Sequence, residues 1–406
     1  MSDRFPNWPL IALTSALALA PTPVAADAFD DAVKAADSAF AEQDRQYAAE
    51  VQAQDAAWQR YSDAIDRAWK RYSAEIDAAW GDAAKKPSKK EFVDYSKDRD
   101  ARTSVDFKAG KLQVDVILKP GESPDSEQVK ARIKQRLEQV VAEPAHEDAE
   151  LHVAPPAGAE VSEKPVYPLQ GQLKLDDGRP VDRNNAAIFA AQTVAEKPIT
   201  KHVIHTPQGQ KQVVTLEVQL VPGHLQRRIR PYLPRVREMS HRFGLPVSLI
   251  LGIMQTESYF NPMARSGVPA FGLMQLVPRS GARDAYRYVY QDDRVVSSDY
   301  LYDPDRNIEL GSAYLKLLQV REMKRIRDPK SRMVCAIAAY NTGGGNVAKA
   351  FIPGSHNIRK ASALINQMSY DEVYDHLRHR LPYEETQLYV QKVTKYMHNY
   401  EALDEE

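Results

Sequence analysis

The sequence contains one cysteine, Cys335, no long hydrophobic run and almost no net charge. A lone cysteine excludes a disulfide within the chain and a cysteine-rich metal site. The apolar stretch Leu10–Ala20 has 11 residues, whereas a membrane-spanning helix needs about 20. The net charge of −1 gives no electrostatic footprint for nucleic acid. We therefore predict no transmembrane helix in the mature chain, no nucleic-acid partner and no metal or other cofactor.

Residues 1–26 are predicted to be a secretory signal peptide. The stretch Leu10–Ala20 has the length of a signal-peptide hydrophobic region, and residues 24–26 supply small side chains for cleavage. The positive region before it is weak, because Asp3 offsets Arg4. A buried N-terminal helix is the alternative. Export by this signal implies a periplasmic protein.

Residues 27–84 are predicted to form one long amphipathic helix. Glycine and proline are absent from residues 27–80, and apolar side chains recur every 11 residues. That period is about 3.67 residues per turn, so each column stays on nearly one helix face. The columns are Tyr47, Trp58, Trp69 and Trp80; Tyr61 and Tyr72; Ile65 and Ile76; and Phe29, Phe40 and Val51. Because a helix must bury such a stripe, we expect self-association, as in a coiled coil or bundle, or docking to an envelope protein. The alternative is a helix that folds back on its own chain, against the domain that begins at residue 223.

A small mixed α/β module is predicted over residues 85–222. It begins with Lys85–Lys90, which we interpret as a solvated linker. Alternating apolar residues predict strands, and helical spacing predicts one helix. The predicted elements are a hairpin of 105–107 with 112–116, a helix over 129–140, a loop over 143–168 and a hairpin of 202–204 with 214–220.

Residues 223–406 lose the alternation and are predicted to form a separate all-α domain. Within it, Asp303–Asn307 superficially resembles half of a calcium loop. Ile308 stands where that loop requires glycine, and Tyr314 stands where it requires glutamate. We therefore predict a helix start at this point. The predicted fold class is α+β overall, with a long N-terminal helix, a small α/β module and an all-α catalytic domain.

Glu257 is the main candidate for a catalytic group. It lies near the C-terminal end of a helix predicted to begin at Pro246 and to end before Pro262. The helix dipole, apolar neighbours such as Met254 and Phe260, and the lack of Lys or Arg within three residues would raise its pKa. A carboxyl group that stays protonated near neutral pH can act as a general acid. A solvated glutamate at a helix end is the alternative that these local features leave open.

Three sequence blocks follow in order from this position. They are Glu257-Ser258-Tyr259-Phe260-Asn261-Pro262, Gly272-Leu273-Met274-Gln275 and Ala339-Tyr340-Asn341-Thr342-Gly343. Their order and spacing resemble the soluble lytic transglycosylase family, whose catalytic domain is lysozyme-like. The resemblance covers residues 224 to about 400. It implies an enzyme whose partner is the glycan strand of peptidoglycan.

The resemblance also implies roles for individual residues. Glu257 would be the single acid/base. Ser266 and Gln275 would hydrogen-bond the sugars, and Tyr340 would orient Glu257 or stabilise charge. The remaining residues of the predicted binding site would shape or close the cleft: Asn341, Glu385 and Tyr389. For Glu385 and Tyr389, packing is the alternative to binding.

The chemistry that the family implies needs one carboxyl group. A retaining glycosidase generally has a second carboxylate about 5–5.5 Å away, and an inverting one has it at about 6.5–9.5 Å. Here Glu257 would protonate the bond between N-acetylmuramic acid and N-acetylglucosamine and then deprotonate the C6 hydroxyl of the muramic acid. The product would be a 1,6-anhydromuramoyl end, which makes the enzyme a lyase. A lysozyme-type hydrolase and a peptidoglycan-binding scaffold are the alternatives.

The upstream module resembles the N-terminal domain of membrane-bound members of the same family. The matching elements are Gly171-Gln172, Asp177–Pro180 and Val221–Leu225. Those members are lipoproteins, which need a cysteine just after the signal peptide. No cysteine lies near residue 26, so we expect no lipid anchor. Association with the outer membrane by another route is left open.

Overall fold

The computed structural model describes the backbone of residues 23–405 apart from 158, 163 and 268, and the side chains of the same residues apart from 23–28, 47, 50 and 51. The predicted signal peptide therefore lies outside the described residues, except for its last four. Among the described residues, those from 58 onwards form one compact unit and those up to 57 form another. Within the described part of the chain, no helix is both long enough and apolar enough to cross a membrane.

The predicted N-terminal helix is present as α1, Pro23–Trp80, and a 3₁₀ turn follows at Gly81–Ala83. Its part within the compact unit buries the 11-residue columns against the same chain. The buried members, each at most 5% exposed, are Trp58, Tyr61, Ile65, Tyr72, Ile76 and Trp80. Tyr61 contacts Ser298 of the helical region, as the fold-back alternative expects, whereas Tyr72, Ile76 and Trp80 pack against the α/β module. In the unit before residue 58, Phe29 and Phe40 are exposed.

The α/β module contains one antiparallel sheet of five strands in the order β1-β2-β3-β5-β4. The strands are β1 Glu91–Tyr95, β2 Ala101–Asp106, β3 Lys111–Ile117, β4 Ile199–Thr206 and β5 Gly209–Gln219. Both predicted hairpins are confirmed, with Val105 opposite Leu112 and His202 opposite Val213. The predicted helix is confirmed as α2, Glu127–Ala142. Strand β1 and helix α3, Ala186–Glu196, were not predicted.

The two faces of this sheet are covered by different elements. On one face, Phe92, Leu112 and Val114 belong to a core with Ile133 and Leu137 of α2. On the other face, a second core joins residues of β1, β4 and β5 to the end of α1. Its members are Tyr72, Ile76, Trp80, Val93, Tyr95, Leu151, Ile204 and Val213. The end of α1 is therefore part of the module.

Helices make up the rest of the chain, in agreement with the predicted all-α region. They are α4 His224–Ile229, α5 Leu233–Phe243, α6 Val247–Ser258, α7 Arg283–Tyr290, α8 Ser298–Tyr302, α9 Pro304–Leu317, α10 Pro329–Thr342, α11 Gly344–Phe351, α12 Ile358–Ile365, α13 Tyr370–Arg380 and α14 Glu384–His398. The helix start at Asp303 is confirmed, because its carboxylate accepts hydrogen bonds from the backbone of Asp305 and Arg306. The α+β fold class is thus confirmed.

Buried polar contacts join the α/β module to the helices. Arg228 donates to the Gln172 side chain at 2.8 Å and to the backbone oxygens of Phe107 at 3.1 Å and Tyr259 at 2.6 Å. Tyr259 directly follows α6, so this guanidinium ties the sheet to the end of the helix that carries Glu257. The proposed domain boundary at 222/223 stays a prediction, and both sides of it lie in one compact unit.

Candidate active site

Helix α6 carries Glu257 in its last turn, as predicted. The helix begins at Val247, with Pro246 as the preceding cap residue, and ends because Tyr259 and Phe260 take left-handed backbone conformations with φ of 51° and 61°. It lies close to α14 at Gly252. A Cβ atom there would lie 2.9 Å from Met397 Cγ, which is too close for a side chain. The glycine therefore permits the approach that brings the two helices together around Glu257.

The Glu257 side chain is almost completely buried, with 4% exposed surface. Burial raises its pKa, and this is the largest effect; the charge and hydrogen bond of Lys89 and the hydroxyl of Tyr389 lower it, and the charge of Glu385 raises it. The apolar neighbours Met254 and Phe260 are fully buried. This environment can hold a proton on a carboxyl group at a pH where a solvated glutamate would be ionised.

Lys89 is the residue at this site that sequence reasoning missed. Its Nζ atom lies 3.1 Å from Glu257 Oε2. The prediction of a solvated linker at Lys85–Lys90 is therefore wrong. Lys85 pairs with Glu91 and Lys86 pairs with Asp77 in the same segment. The absence of a cation near Glu257 along the sequence did not imply its absence in space, because the sheet brings position 89 to the end of α6.

Gln275 lies in a tight turn of the second sequence block. Its φ is 49°, and its Nε2 atom donates to the backbone oxygens of Ala264 at 3.0 Å and Gly272 at 3.1 Å. Its Oε1 atom is buried without a hydrogen-bond partner among the described residues. The side-chain nitrogen of Gln275 thus stabilises the turn, and its side-chain oxygen remains available to accept a hydrogen bond. Ser266, also predicted, is half-buried beside this turn, and its backbone nitrogen donates to Ala270.

Asn307 fixes the same turn from below and was not predicted as part of the site. Its Nδ2 atom donates to the backbone oxygens of Phe271 at 2.9 Å and Leu301 at 2.8 Å, and its Oδ1 atom accepts from Met274 N at 2.8 Å. Gly272, with φ of 77°, permits the close approach, since a Cβ would lie 2.4 Å from Asn307 Nδ2. The position was predicted only as part of a helix start.

The third sequence block places Tyr340 and Asn341 at the end of α10. The Tyr340 hydroxyl donates to Met274 O at 2.9 Å. Burial, and then the charge of Glu257, raise the pKa of Tyr340 well above its usual value. The phenol is therefore close to Glu257 and protonated. Asn341 Oδ1 accepts from Thr386 Oγ1 at 2.8 Å, so this side chain ties α10 to α14.

Helix α14 contributes the last two predicted residues. Tyr389 is 5% exposed, and its hydroxyl has no hydrogen-bond partner of ordinary geometry in the described structure. Burial, and then the charge of Glu257, raise the pKa of Tyr389 well above its usual value. Glu385 is exposed one turn earlier. The structure thus brings Tyr340, Tyr389 and Glu385 to the Glu257 carboxyl.

Two further side chains with potentially reactive groups, Cys335 and Ser258, are buried. Cys335 is fully buried, and burial raises the pKa of its thiol. Ser258 Oγ hydrogen-bonds the backbone oxygens of Met254 and Leu273. In the part of the chain that the structure describes, no group of three or more His, Cys, Asp or Glu side chains is arranged to hold a metal ion.

Two family profiles match adjoining parts of this chain. Residues 58–230 match the N-terminal domain of membrane-bound lytic murein transglycosylase C, and residues 235–361 match the transglycosylase SLT domain. A membrane-bound lytic murein transglycosylase C from Sodalis glossinidius is 35% identical over 314 residues, which are 77% of this chain and 82% of that protein. One from Pectobacterium atrosepticum is 32% identical over 311 residues, with the same coverage. The chain belongs to the membrane-bound lytic murein transglycosylase C family.

Solved structures of lytic transglycosylases match a smaller part of this family member. The lytic transglycosylase Slt of Pseudomonas aeruginosa is 30% identical with a TM-score of 0.32, over 42% of this chain and 24% of that one. The 70 kDa soluble lytic transglycosylase of Escherichia coli is 24% identical with a TM-score of 0.34, over 44% of this chain and 26% of that one. The chain spans about a quarter of the length of these two proteins.

The family match also divides the candidate site. The SLT profile contains Glu257, Ser266, Gln275, Tyr340 and Asn341 and ends before α14. The transglycosylase C profile begins at residue 58, where the compact unit begins, and it contains Lys89. The N-terminal module of this family member therefore contributes a side chain to the site of the catalytic region.

Proposed function

We propose that this protein is a lytic transglycosylase that cleaves the glycan strands of peptidoglycan, with Glu257 as its acid/base. The observation that carries the proposal is the buried carboxyl at the end of α6, whose pKa is raised by burial. Family membership supports the substrate, since the relatives are named murein transglycosylases. General acid–base catalysis needs a carboxyl group that can hold and return a proton near the working pH.

The proposed reaction has two steps at one carboxyl group. Glu257 donates its proton to the oxygen between C1 of N-acetylmuramic acid and C4 of N-acetylglucosamine, and the C1–O bond breaks. The resulting carboxylate then removes the proton from the C6 hydroxyl of the muramic acid while O6 bonds to C1. No water is consumed, Glu257 ends protonated, and the product carries a 1,6-anhydromuramoyl end.

The surrounding residues have proposed supporting roles. Tyr389 is a protonated phenol close to Glu257 and would stabilise the carboxylate that forms in the first step. The Tyr340 hydroxyl donates to Met274 O, so this side chain would help to orient Glu257. The free Oε1 atom of Gln275 and the Ser266 side chain would bind sugar hydroxyl or amide groups. Asn341 would act on the cleft indirectly, through its contact with α14.

A hydrolase is the second candidate, and Glu385 is the observation that favours it. Its charge raises the pKa of Glu257, so a second carboxyl group lies within electrostatic range of the first. In a hydrolase Glu385 would act as nucleophile or would activate water. A scaffold that only binds peptidoglycan is a third candidate, but it gives no reason for a buried carboxyl beside two phenols.

Analysis of digested sacculi distinguishes these candidates. The expected products are muropeptides lighter by one water than those of a hydrolase, with no end that borohydride can reduce. The Glu385→Gln variant should give the same products. New reducible ends, lost together with activity in Glu385→Gln, would establish the hydrolase. A wild-type protein that binds sacculi and releases nothing would establish the scaffold.

We further propose that the unit before residue 58 mediates self-association. Phe29, Val33 and Phe40 are exposed there, and an 11-residue period suits helices that pack with little or slightly right-handed supercoil. Sedimentation of the chain from residue 27 should show an oligomer at tens of micromolar, and the Phe29→Ser/Phe40→Ser variant should be monomeric. A truncated control must begin at Trp58, because later truncation removes core residues. A monomeric wild type would rule out self-association. Docking to an envelope protein would then be the remaining proposal, tested by pull-down.

We propose the periplasm as the location of the protein. The predicted signal peptide supports it, and the relatives are named membrane-bound. Fractionation of cells with the full-length chain should release it with the periplasm. Recovery with outer-membrane vesicles would show attachment by a route other than a lipidated cysteine near residue 26.

A further inference from the structure

Lys89 reaches the candidate active site from a different part of the sequence. Its Nζ atom lies 3.1 Å from Glu257 Oε2, although the two residues are 168 positions apart. The lysine side chain is 33% exposed and the glutamate side chain 5%. The ammonium group therefore lies between the buried carboxyl and the solvent. A surface ion pair of this length contributes little in general, but here one partner is desolvated.

The backbone around Lys89 is held independently of this ion pair. Lys90 O accepts from Phe107 N at 3.0 Å, and Ser88 N donates to Glu91 O at 2.9 Å. Ser88 Oγ accepts from the nitrogen of Glu91 at 3.1 Å. The Lys90 ammonium lies 5.0 Å from the centre of the Tyr259 ring, in the turn that ends α6. The sheet edge thus presents Lys89 to Glu257 in a fixed position.

The charged and titratable groups around Glu257 come from three elements. Lys89 comes from the segment before β1, Tyr340 from α10, and Glu385 and Tyr389 from α14. Both phenols are protonated, and the charge of Glu385 raises the pKa of Glu257. Lys89 is therefore the positive charge among these groups, and it favours the carboxylate form of Glu257. The first proposed step needs the protonated form.

We propose that Lys89 is a positioning residue that favours the carboxylate form of Glu257 in the free enzyme and so limits activity at alkaline pH. The inference rests on the proposed function, in which Glu257 must carry a proton before the glycosidic bond breaks. Neutralising Lys89 leaves the buried carboxyl without its countercharge. Glu257 then keeps its proton to higher pH, which a loss of structure alone would not cause.

The test compares pH profiles of kcat/KM on purified glycan strands between about pH 5 and 9. The Lys89→Met variant should lose activity at higher pH than the wild type and be at least about threefold faster at the alkaline end. Lys89→Arg should keep the wild-type alkaline limb, because the charge is retained. The matched control is Lys86→Met, which removes a lysine of the same segment that pairs with Asp77; its profile should overlay the wild type.

A Lys89→Met profile with an unmoved alkaline limb would overturn the inference, whether or not the overall rate falls. If Lys89→Met does not fold, Lys89→Gln takes its place. A second readout does not need turnover. The spectroscopic signal of the Glu257 carboxyl group, assigned by its loss in Glu257→Gln, should titrate at higher pH in Lys89→Met than in the wild type. A wild-type enzyme that cleaves no glycan contradicts the proposed function instead, and this titration then still tests the ion pair.

Discussion

Glu257 and Glu309 are two helical glutamates, each 4% exposed, in opposite situations. Glu309, on α9, accepts hydrogen bonds from Arg235 at 2.8 Å, from Arg242 and from the Tyr290 hydroxyl at 3.0 Å. Among the residues that the structure describes, Glu257 has one ion pair, with Lys89. A buried carboxylate needs charged or hydrogen-bonding partners to offset desolvation. Two guanidinium groups provide these partners for Glu309, whereas Glu257 has too few partners to offset the cost of its desolvation.

This difference separates a carboxylate that stabilises the fold from one suited to proton transfer. Arginine stays protonated and forms several fixed hydrogen bonds, so two permanent positive charges lie against the Glu309 carboxyl group. Glu257 has one lysine and phenols that stay neutral, and burial raises its pKa. Burial alone therefore does not mark an active site. A buried carboxyl group with too few charged or hydrogen-bonding partners to offset its desolvation is the feature that marks the site.

The largest expected effect is on activity in the Glu257→Gln variant. The amide keeps the shape of the side chain but cannot donate and recover a proton. Acid–base catalysis typically contributes about 10²–10⁴-fold, and Glu257 acts in both proposed steps, so sacculus lysis should fall at least this far. Release of soluble muropeptides measures it, with circular dichroism as the folding control. Wild-type lysis by this variant would remove Glu257 from the mechanism.

Removing Glu309 should instead reduce stability. In Glu309→Ala, Arg235 and Arg242 lose their shared partner, and breaking a buried pair costs roughly 3 kcal/mol. Denaturant unfolding should show this decrease. At a temperature where the variant is folded, its rate per folded molecule should stay within about twofold of the wild type. A large loss of kcat without loss of stability would mean that Glu309 serves the reaction, contrary to the comparison.

The Tyr389→Phe variant should lose activity but not stability, and its loss of activity should be smaller than that of Glu257→Gln. Its hydroxyl is buried without a partner of ordinary geometry, so removing it should not lower the free energy of unfolding. Loss of a hydrogen bond to the developing carboxylate should reduce turnover roughly tenfold. Tyr72 of α1 also has a buried hydroxyl with no partner in the described structure, and Tyr72→Phe is the matched control, with unchanged turnover. Equal turnover in both variants would assign Tyr389 to packing.

The sequence predicted elements whose signal is local. The strand hairpins follow alternation within a few residues, and the position of Glu257 follows from one helix and a nearby proline. The sequence did not predict Lys89 at the site, because its contact depends on the arrangement of the sheet against α6 through Arg228. It also did not predict Asn307 beneath the Gly272 turn. Its pattern predicted a helix start, and the side-chain contacts are visible only once α8, α9 and the turn are packed.

The last prediction concerns stability in Glu257→Gln, where the comparison requires a sign opposite to that of Glu309. Burial raises the folded-state pKa of Glu257 above its unfolded value of about 4.3. The folded state therefore binds the proton more tightly, and wild-type stability falls as pH rises from the unfolded pKa to the folded pKa. Glutamine does not titrate, so the Tm of Glu257→Gln relative to wild type should increase from acid to neutral pH and then level off. Glu309→Gln should be less stable than wild type at neutral pH. If the Tm difference between Glu257→Gln and the wild type does not increase with pH, Lys89 offsets the desolvation of the Glu257 carboxylate fully. Glu257 and Glu309 would then both be compensated buried carboxylates that differ only in their partners.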